Sequence, residues 1–148
     1  MNTQAHSSSH ILSIQNKNEA HHPLKENKKH ILFISYDGLL DPLGQSQILP
    51  YIFGLRKRGF RFSIISFEKD YRDPSEIKKL DEKLRAMDIS WYLLKFISGG
   101  GVKKVLWRIV VGAMAVRRVC RSVKIDFVHL RGFQSTLIFN CSFVKKPY

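Results

Sequence analysis

The chain has few cysteines and no long apolar segment. Among its 148 residues are two cysteines, Cys120 and Cys141. Two cysteines cannot form the disulfide framework of a small secreted domain, so both are expected to be reduced and buried. The uncharged run from Ile109 to Val116 is far shorter than the roughly 20 apolar residues of a membrane-spanning helix. Residues 1–4 have neither the basic nor the apolar region of a secretory signal, and a cytoplasmic protein is therefore expected.

Acidic residues are also scarce. The sequence has 12 Asp and Glu against 25 Lys and Arg, which gives a formal net charge of +13. The excess is uneven, because residues 30–94 are nearly neutral while residues 95–148 contain a single acid, Asp126. Such an asymmetry favours an acidic partner such as nucleic acid, anionic lipid or a phosphate-bearing substrate. Apolar residues make up 44% of the chain, which suffices for one hydrophobic core.

The first 29 residues differ in composition from the rest. They are rich in Ser, Asn, His, Gln and Lys, and they cannot bury enough apolar surface to offset the entropy lost on ordering. We therefore expect a disordered polar tail over residues 1–29 and one folded domain over residues 30–148. Four of the six histidines lie in the tail. Their spacing does not repeat and no cysteine is near, so a plain polar tail is favoured over a metal site about tenfold. Neither a metal nor a cofactor is expected.

From residue 30 onward, short apolar runs alternate with amphipathic segments. Runs that are apolar at nearly every position are typical of strands buried on both faces of a parallel sheet. Their alternation with helices predicts βαβ units. We therefore predict an α/β fold, a Rossmann-like parallel sheet with helices on both faces and the strand order 3-2-1-4 of the doubly wound type. The predicted strands are 30–36, 61–67, 88–94 and 126–130, and the predicted helices are 48–58, 73–87, 102–123 and 135–142.

The loop at residues 37–46 is the most informative segment for function. Ligands in such folds bind beyond the carboxyl ends of the strands, where this loop lies. Gly44 would let the backbone approach a ligand closely, and the N–H groups of Gln45, Ser46 and Gln47 would point at an anion from the start of the next helix. An ordinary strand-to-helix turn is an equally good interpretation of the residues alone. Neither a Walker loop nor a G-x-G-x-x-G motif occurs, so a nucleotide hydrolase or dinucleotide-binding protein is not supported.

The predicted helix at 102–123 has one apolar and one basic side. Four apolar residues fall among the basic ones, a pattern typical of helices that contact membrane surfaces. They are Trp107, Val110, Val111 and Met114. On this interpretation Lys103, Lys104, Trp107 and Arg108 contact the membrane. Burial of the apolar residues within the domain is the alternative, favoured by about three to two. Nucleic-acid binding has only the charge in its support. The side predicted to face the core comprises Val102, Val105, Ile109, Ala113, Val116, Val119, Cys120 and Val123.

Residues 30–69 resemble the start of family 4 glycosyltransferases with the GT-B fold. The resemblance rests on D-G-L-L-D-P-L-G-Q-S-Q at 37–47, on the apolar run before it, and on I-D-F-V-H-L-R-G at 125–132. In that family two Rossmann-like halves face each other across a cleft, and the N-terminal half binds mainly the acceptor. The resemblance implies that this chain is the acceptor-side half of a retaining enzyme. Such an enzyme moves a sugar from a nucleotide-sugar donor to a glycan or lipid-linked acceptor.

The resemblance also implies site residues and partners. The spacing of Glu68 and Glu76 is similar to that of an acidic motif in retaining enzymes, but Glu76 is accounted for as a helix-capping residue and the pair is assigned no role.

The second half is expected either as a separate chain or as a lost segment, with this chain truncated before its last strands. A lipid-linked acceptor favours peripheral attachment to the inner face of a membrane. The alternative is an inactive fragment or a non-enzymatic module that binds anionic surfaces. The residues implied to bind substrate are Asp37, Gly44, Gln45, Ser46, His129 and Arg131.

Overall fold

The computed structural model describes residues 29–69, 72–97, 99 and 101–145. The tail predicted over residues 1–29, with its histidines, lies outside the described residues apart from Lys29. The strands are β1 (His30–Ser35), β2 (Arg61–Lys69), β3 (Ile89–Phe96) and β4 (Phe127–Arg131). The helices are α1 (Leu49–Lys57), α2 (Pro74–Ala86), α3 (Val102–Ser122) and α4 (Phe133–Cys141), and a π-helical turn (Gly44–Ile48) leads into α1.

The four strands form one parallel sheet in the order β3-β2-β1-β4. This confirms the predicted α/β class and strand order. The two central strands, β1 and β2, have neighbours on both sides and helices on both faces, so nearly all of their residues are buried. That burial is why both strands are almost continuously apolar in the sequence.

Each face of the sheet has its own hydrophobic core. On one face, α3 and α4 cover a cluster that includes Leu32, Ile34 and Ile65. On the other face, α1 and α2 cover a cluster that includes Phe33 and Ile64. The alternation of residues 32, 33 and 34 between the two clusters follows from the pleat of β1. The carboxyl ends of all four strands meet at one edge, where ligands bind in folds of this type.

The helical segment that contains α1 begins earlier than the sequence predicts. Helical backbone starts at Pro42, because the N–H of Gln45 donates to the carbonyl of Asp41 at 2.9 Å. Pro50 lies in the first turn of α1 itself, directly after the π-helical turn. Proline has no N–H to donate to the preceding turn, and the wider π-helical turn just before Pro50 accommodates that loss.

Two other predictions about burial are wrong. Val102 and Val105 were expected to face the core but are 85% and 40% exposed, since residues 102–107 extend beyond the packed part of the domain. Cys141, expected to be buried, is exposed near the end of α4, and Cys120 is half-buried. Neither cysteine takes part in a disulfide. Of the helices described, none has the length and apolar character needed to cross a membrane.

Candidate functional site

The end of β4 and the start of α1 together form a small cavity at the carboxyl edge of the sheet. His129 and Arg131 are two residues apart on β4, so their side chains project from the same face of the sheet. His129 pairs in register with Phe33 of β1, and its ring stacks on the Phe33 ring with centroids 4.7 Å apart. The ring of Tyr51, on α1, lies 5.4 Å from His129. The cavity has a volume of about 220 Å³.

Arg131 is fixed in this cavity by Gln47. Its Nη2 donates to Gln47 Oε1 at 2.9 Å, across 84 positions of sequence. The structure therefore brings together two of the six residues that the resemblance implied, His129 and Arg131, and adds Gln47 and Tyr51. Gln47 was expected to offer only its backbone N–H to an anion, and Tyr51 lies in the helix predicted over residues 48–58 without an assigned role. The cavity is lined by Phe33, Gln47, Ile48, Tyr51, His129 and Arg131.

The cavity favours an uncharged imidazole beside a guanidinium. Burial, with the positive charge of Arg131 as a second cause, lowers the pKa of His129 below its ordinary value. At neutral pH the ring therefore offers one N–H donor and one nitrogen acceptor. Among the described residues that line the cavity there is no carboxylate. Such a group of side chains can bind hydroxyls and an anion, and within this lining His129 is the candidate for a general base.

Gly44 is required by packing inside the chain. It is buried where the helical segment crosses the loop after β1. A Cβ at this position would lie 2.3 Å from the carbonyl oxygen of Gly38 and 2.4 Å from that of Leu39. Only glycine permits this backbone-to-backbone approach. The close backbone approach that the sequence predicts at Gly44 is therefore made to the loop after β1.

Gln45 and Ser46 also make hydrogen bonds within the loop. The Gln45 amide Nε2 donates to the carbonyl of Leu39 at 2.8 Å, and the Ser46 hydroxyl donates to the carbonyl of Pro42 at 2.7 Å. The prediction that the Gln45 backbone N–H points at an anion is wrong, because this N–H closes the first helical turn. Asp37 is exposed and does not line the cavity.

A buried carboxylate at the end of β2 accepts hydrogen bonds from the loop after β1. Glu68, at the end of β2, is 2% exposed and accepts the N–H groups of Leu39 at 2.5 Å and Leu40 at 3.3 Å. The hydroxyl of Ser66 donates to the same carboxylate at 3.1 Å. Burial raises the pKa of Glu68, although these three donors favour the ionised form. Glu76 is exposed in the first turn of α2, where it suits the helix dipole.

Asp41 ties the same loop to the end of β2. Its carboxylate pairs with Lys69 Nζ at 3.1 Å and with the guanidinium of Arg72. Burial alone would raise the pKa of Asp41, but the hydrogen bonds from the two cations outweigh it and hold the pKa below its ordinary value. The sequence does not show these roles of Glu68 and Asp41, because each carboxylate accepts hydrogen bonds from residues about 30 positions away in the chain.

Three of the four predicted membrane-contact residues are exposed, namely Lys103, Lys104 and Trp107. Arg108 is the exception and is only 6% exposed. It lies one turn before Gly112, on the stripe of α3 that faces the domain. Gly112 packs directly against Ile138 of α4, which brings this side of the helix close to its neighbours. The prediction that Arg108 contacts a surface outside the domain is therefore wrong.

The described residues contain no group of three or more His, Cys, Asp or Glu side chains that could hold a metal ion. Comparison of the sequence with protein-family models finds no match, and comparison with curated proteins finds none either.

Proposed function

We propose that the chain forms the acceptor-binding half of an enzyme that transfers a sugar from a nucleotide-sugar donor to a glycan or lipid-linked acceptor. The observation that carries this proposal is the convergence of His129, Arg131, Gln47 and Tyr51 around one cavity at the carboxyl edge of a parallel sheet. Folds of this type bind their ligands at this edge. The resemblance to family 4 glycosyltransferases implies acceptor binding by residues at the same place.

The chemistry of the cavity suits a hydroxyl-rich ligand that also bears a phosphate. A neutral imidazole, an amide and a phenol can donate to and accept from hydroxyl groups, and Arg131 supplies a charge-assisted donor for an anion. The volume of about 220 Å³ is below the roughly 300–1,000 Å³ of most small-molecule pockets. The cavity would therefore hold one part of the acceptor, and a second half of the enzyme would bind the donor diphosphate.

Ligand binding by the cavity can be tested with saturation-transfer NMR. Hexoses and hexose phosphates are the probes, and the full chain is compared with Gln47→Ala and Arg131→Ala. We expect transfer to at least one probe, strongly reduced in both variants because each loses a polar contact in the cavity. The matched control is Arg58→Ala, which removes an exposed arginine after the end of α1. Equal signals in all four proteins would contradict the proposal.

Sugar transfer itself is expected to require more than this chain. Stabilisation of the leaving diphosphate needs positioned charges, and the resemblance places those groups in the second half. The measurement is sugar transfer and nucleotide-sugar hydrolysis by the purified chain, for which we expect no turnover above background. Turnover by the chain alone that is lost in His129→Gln would place catalysis in this cavity and overturn the division of roles.

A second proposal concerns attachment to an anionic membrane surface, and a specific observation favours it. The side of α3 for which burial was the favoured alternative is mostly exposed, and it forms the open side of α3. Three of the four apolar residues in question, Trp107, Val110 and Met114, are 56%, 43% and 55% exposed, and Val111 is half-buried. Leu106, next to Trp107, is 59% exposed. Basic residues of the same helix lie among them and the helix contains no acid. An exposed apolar and basic helix suits the headgroup region of an anionic leaflet, where a lipid-linked acceptor would be found.

A further inference from the structure

Three arginines of α3 line one cavity near the end of that helix. Arg121 is four residues after Arg117 and three after Arg118, so the three side chains are neighbours on the helix surface. The cavity has a volume of about 500 Å³ and is completed by Met114 and Ser122. This volume lies within the roughly 300–1,000 Å³ of most small-molecule pockets. The cavity is therefore large enough for a small ligand.

In the part of the chain that the structure describes, no carboxylate pairs with these arginines. The single acid of residues 95–148 is Asp126, whose carboxylate accepts the backbone N–H of His30 at 2.8 Å. Like charges four residues apart on a helix destabilise it, and Arg117 and Arg121 are such a pair. An anion bound between them would remove this cost.

Arg117 is held in position by the end of α4. Its Nε donates to the carbonyl of Ser142 at 3.2 Å, and its guanidinium lies 5.9 Å from the centroid of the Phe143 ring. Ser142 is itself buried, so this anchor belongs to the packed part of the domain. Among the described residues no acceptor bonds to the two Nη groups, which remain as a pair of donors.

The helix dipole accounts for only one of the three arginines. A cation in the last turn of a helix is stabilised by the dipole, and Arg121 lies in that turn. Arg117 and Arg118 precede it, and the effect falls off beyond the last turn. Packing does not account for the group either, because all three arginines are exposed.

We propose that Arg117, Arg118 and Arg121 bind a phosphate group in this cavity. A guanidinium can donate two parallel hydrogen bonds to phosphate oxygens, and three of them neutralise the charge of about −2 that a phosphate ester carries at neutral pH. Met114 adds apolar surface for the part of the ligand that bears the phosphate. The site lies on the α3 face of the sheet, opposite the His129 cavity, and it does not depend on the sugar-transfer proposal.

The phosphate can belong to a soluble compound or to a lipid headgroup, since the chemistry recognised is the same. Met114 also belongs to the open side of α3. A lipid headgroup at this site would therefore rest on the membrane proposal, whereas a soluble phosphate compound would not.

The test is thermal unfolding of the full chain with and without inorganic phosphate at constant ionic strength, with chloride as the balancing anion. Phosphate that binds the folded state raises the melting temperature, and we expect this gain for the wild type. Arg117→Gln and Arg121→Gln should each weaken the phosphate affinity by about tenfold, because each removes a charge-assisted hydrogen bond. Arg121→Lys keeps the net charge but loses the fork of donors, so it should also bind phosphate more weakly than the wild type.

The matched control is Arg58→Gln, which removes the same charge at an exposed position after the end of α1. It should retain the wild-type phosphate affinity. Equal stabilisation by phosphate of the wild type, Arg121→Gln and Arg58→Gln would mean that the arginines of the cavity are not the site, and would overturn the proposal. Equal losses of affinity in Arg121→Gln and Arg58→Gln would overturn it too, because net charge alone would then be responsible.

Vesicles of phosphatidylcholine with phosphatidic acid distinguish the two sources of phosphate. The variants compared are Arg117→Gln combined with Arg121→Gln and, as the matched control, Arg58→Gln combined with Lys79→Gln. A gain with inorganic phosphate, together with equal vesicle binding by both double variants, assigns the site to soluble phosphate compounds. Vesicle binding lost only in the Arg117 and Arg121 double variant assigns it to a lipid headgroup. Equal vesicle binding without a gain from phosphate overturns the proposal, and neither arm bears on sugar binding in the His129 cavity.

Discussion

The position of the loop after β1 depends on one side chain, the carboxylate of Glu68. Both of its oxygens accept backbone N–H groups, from Leu39 and Leu40. Gly38 lies so close that a Cβ there would be 2.5 Å from Glu68 Oε2. The loop continues directly into the helical segment that carries Gln47 and Tyr51. The geometry of the candidate cavity therefore depends on a residue that does not line it.

We expect Glu68→Ala to lower the free energy of unfolding by about 2 kcal/mol or more, because two buried N–H groups lose their acceptor. Glu68→Gln should be milder, since its amide oxygen still accepts one N–H and no charge is buried. The matched control is Glu76→Ala, an exposed residue in the first turn of α2, which should cost about 0.5 kcal/mol. Urea denaturation measures all three. A loss in Glu68→Ala as small as that in Glu76→Ala would contradict this role.

The two histidines of the sheet should make stability depend on pH. Burial lowers the pKa of both His129 and His30 from the ordinary value of 6.5, so the folded state favours their neutral forms. Stability from this source is fully present above pH 6.5 and is lost as the pH falls through the lowered values. The free energy of unfolding should therefore fall between about pH 7 and about pH 5. His129→Gln should reduce this dependence, with the His30 share remaining, and an unchanged dependence would contradict the prediction.

At the scale of the elements, the sequence predicts the bounds of the four strands and four helices to within two residues, but it misses the helical turns that precede α1. Strands β1 and β2 are buried on both faces, and this makes them continuous apolar runs with clear ends. Within the helix predicted over residues 48–58, Ile48 and Ile52 are buried, whereas Tyr51 is 46% exposed at the cavity. The apolar period of this helix shows neither the start at Pro42 nor the π-helical turn, because the residues of that turn are mostly polar.

The helix period likewise predicts an apolar face without showing how far the helix extends past the sheet. Val102 belongs to the apolar face of α3 and is exposed, whereas Arg108 is polar and buried. For the cavity, the position of His129 and Arg131 at the end of one strand is predictable from the sequence. The hydrogen bond of Arg131 to Gln47 is not predictable, since it depends on the packing of elements that are distant in sequence.

Two glycines of the helical segment differ in the space around them, so alanine substitutions at the two should have opposite effects on stability. Gly44→Ala should lower the free energy of unfolding by about 2 kcal/mol or more, because the new Cβ would lie 2.3 Å from a backbone oxygen that cannot move aside. Gly54→Ala, in α1, meets no atom within 4 Å and should stabilise the chain by up to about 1 kcal/mol through helix propensity. Thermal and urea unfolding of the two variants give the measurement. Equal effects would show that the close packing at Gly44 does not hold in solution.

At the scale of the whole molecule, the sheet separates the His129 cavity, on the side of α1, from α3 on the opposite face. Composition and element order were sufficient to predict the parallel sheet, because βαβ units leave few alternatives. They do not show that α3 would present an uncovered apolar surface, since exposure depends on which elements pack against it.

The charge asymmetry and the open side of α3 predict salt-dependent binding to anionic membranes. Trp107, Met114 and Arg118 follow one another along this side at helical spacing, and all three are exposed. Each basic residue near an anionic leaflet contributes about 1 kcal/mol, and the attraction fades within a Debye length. Co-sedimentation with vesicles containing phosphatidylglycerol should therefore show binding at low salt that weakens as salt is added. Zwitterionic vesicles should bind little.

Variants on the open side of α3 distinguish vesicle binding by this surface from vesicle binding that depends only on the net charge of the chain. Lys103→Glu combined with Arg118→Glu should strongly weaken vesicle binding, and Trp107→Ser should weaken it at every salt concentration because an apolar anchor is lost. The matched control is Arg58→Glu combined with Lys79→Glu, which changes the net charge equally at exposed positions in the α1 and α2 regions. Equal losses in both double variants, or displacement by DNA at equal phosphate, would mean unselective binding of polyanions, and the membrane proposal would then be abandoned.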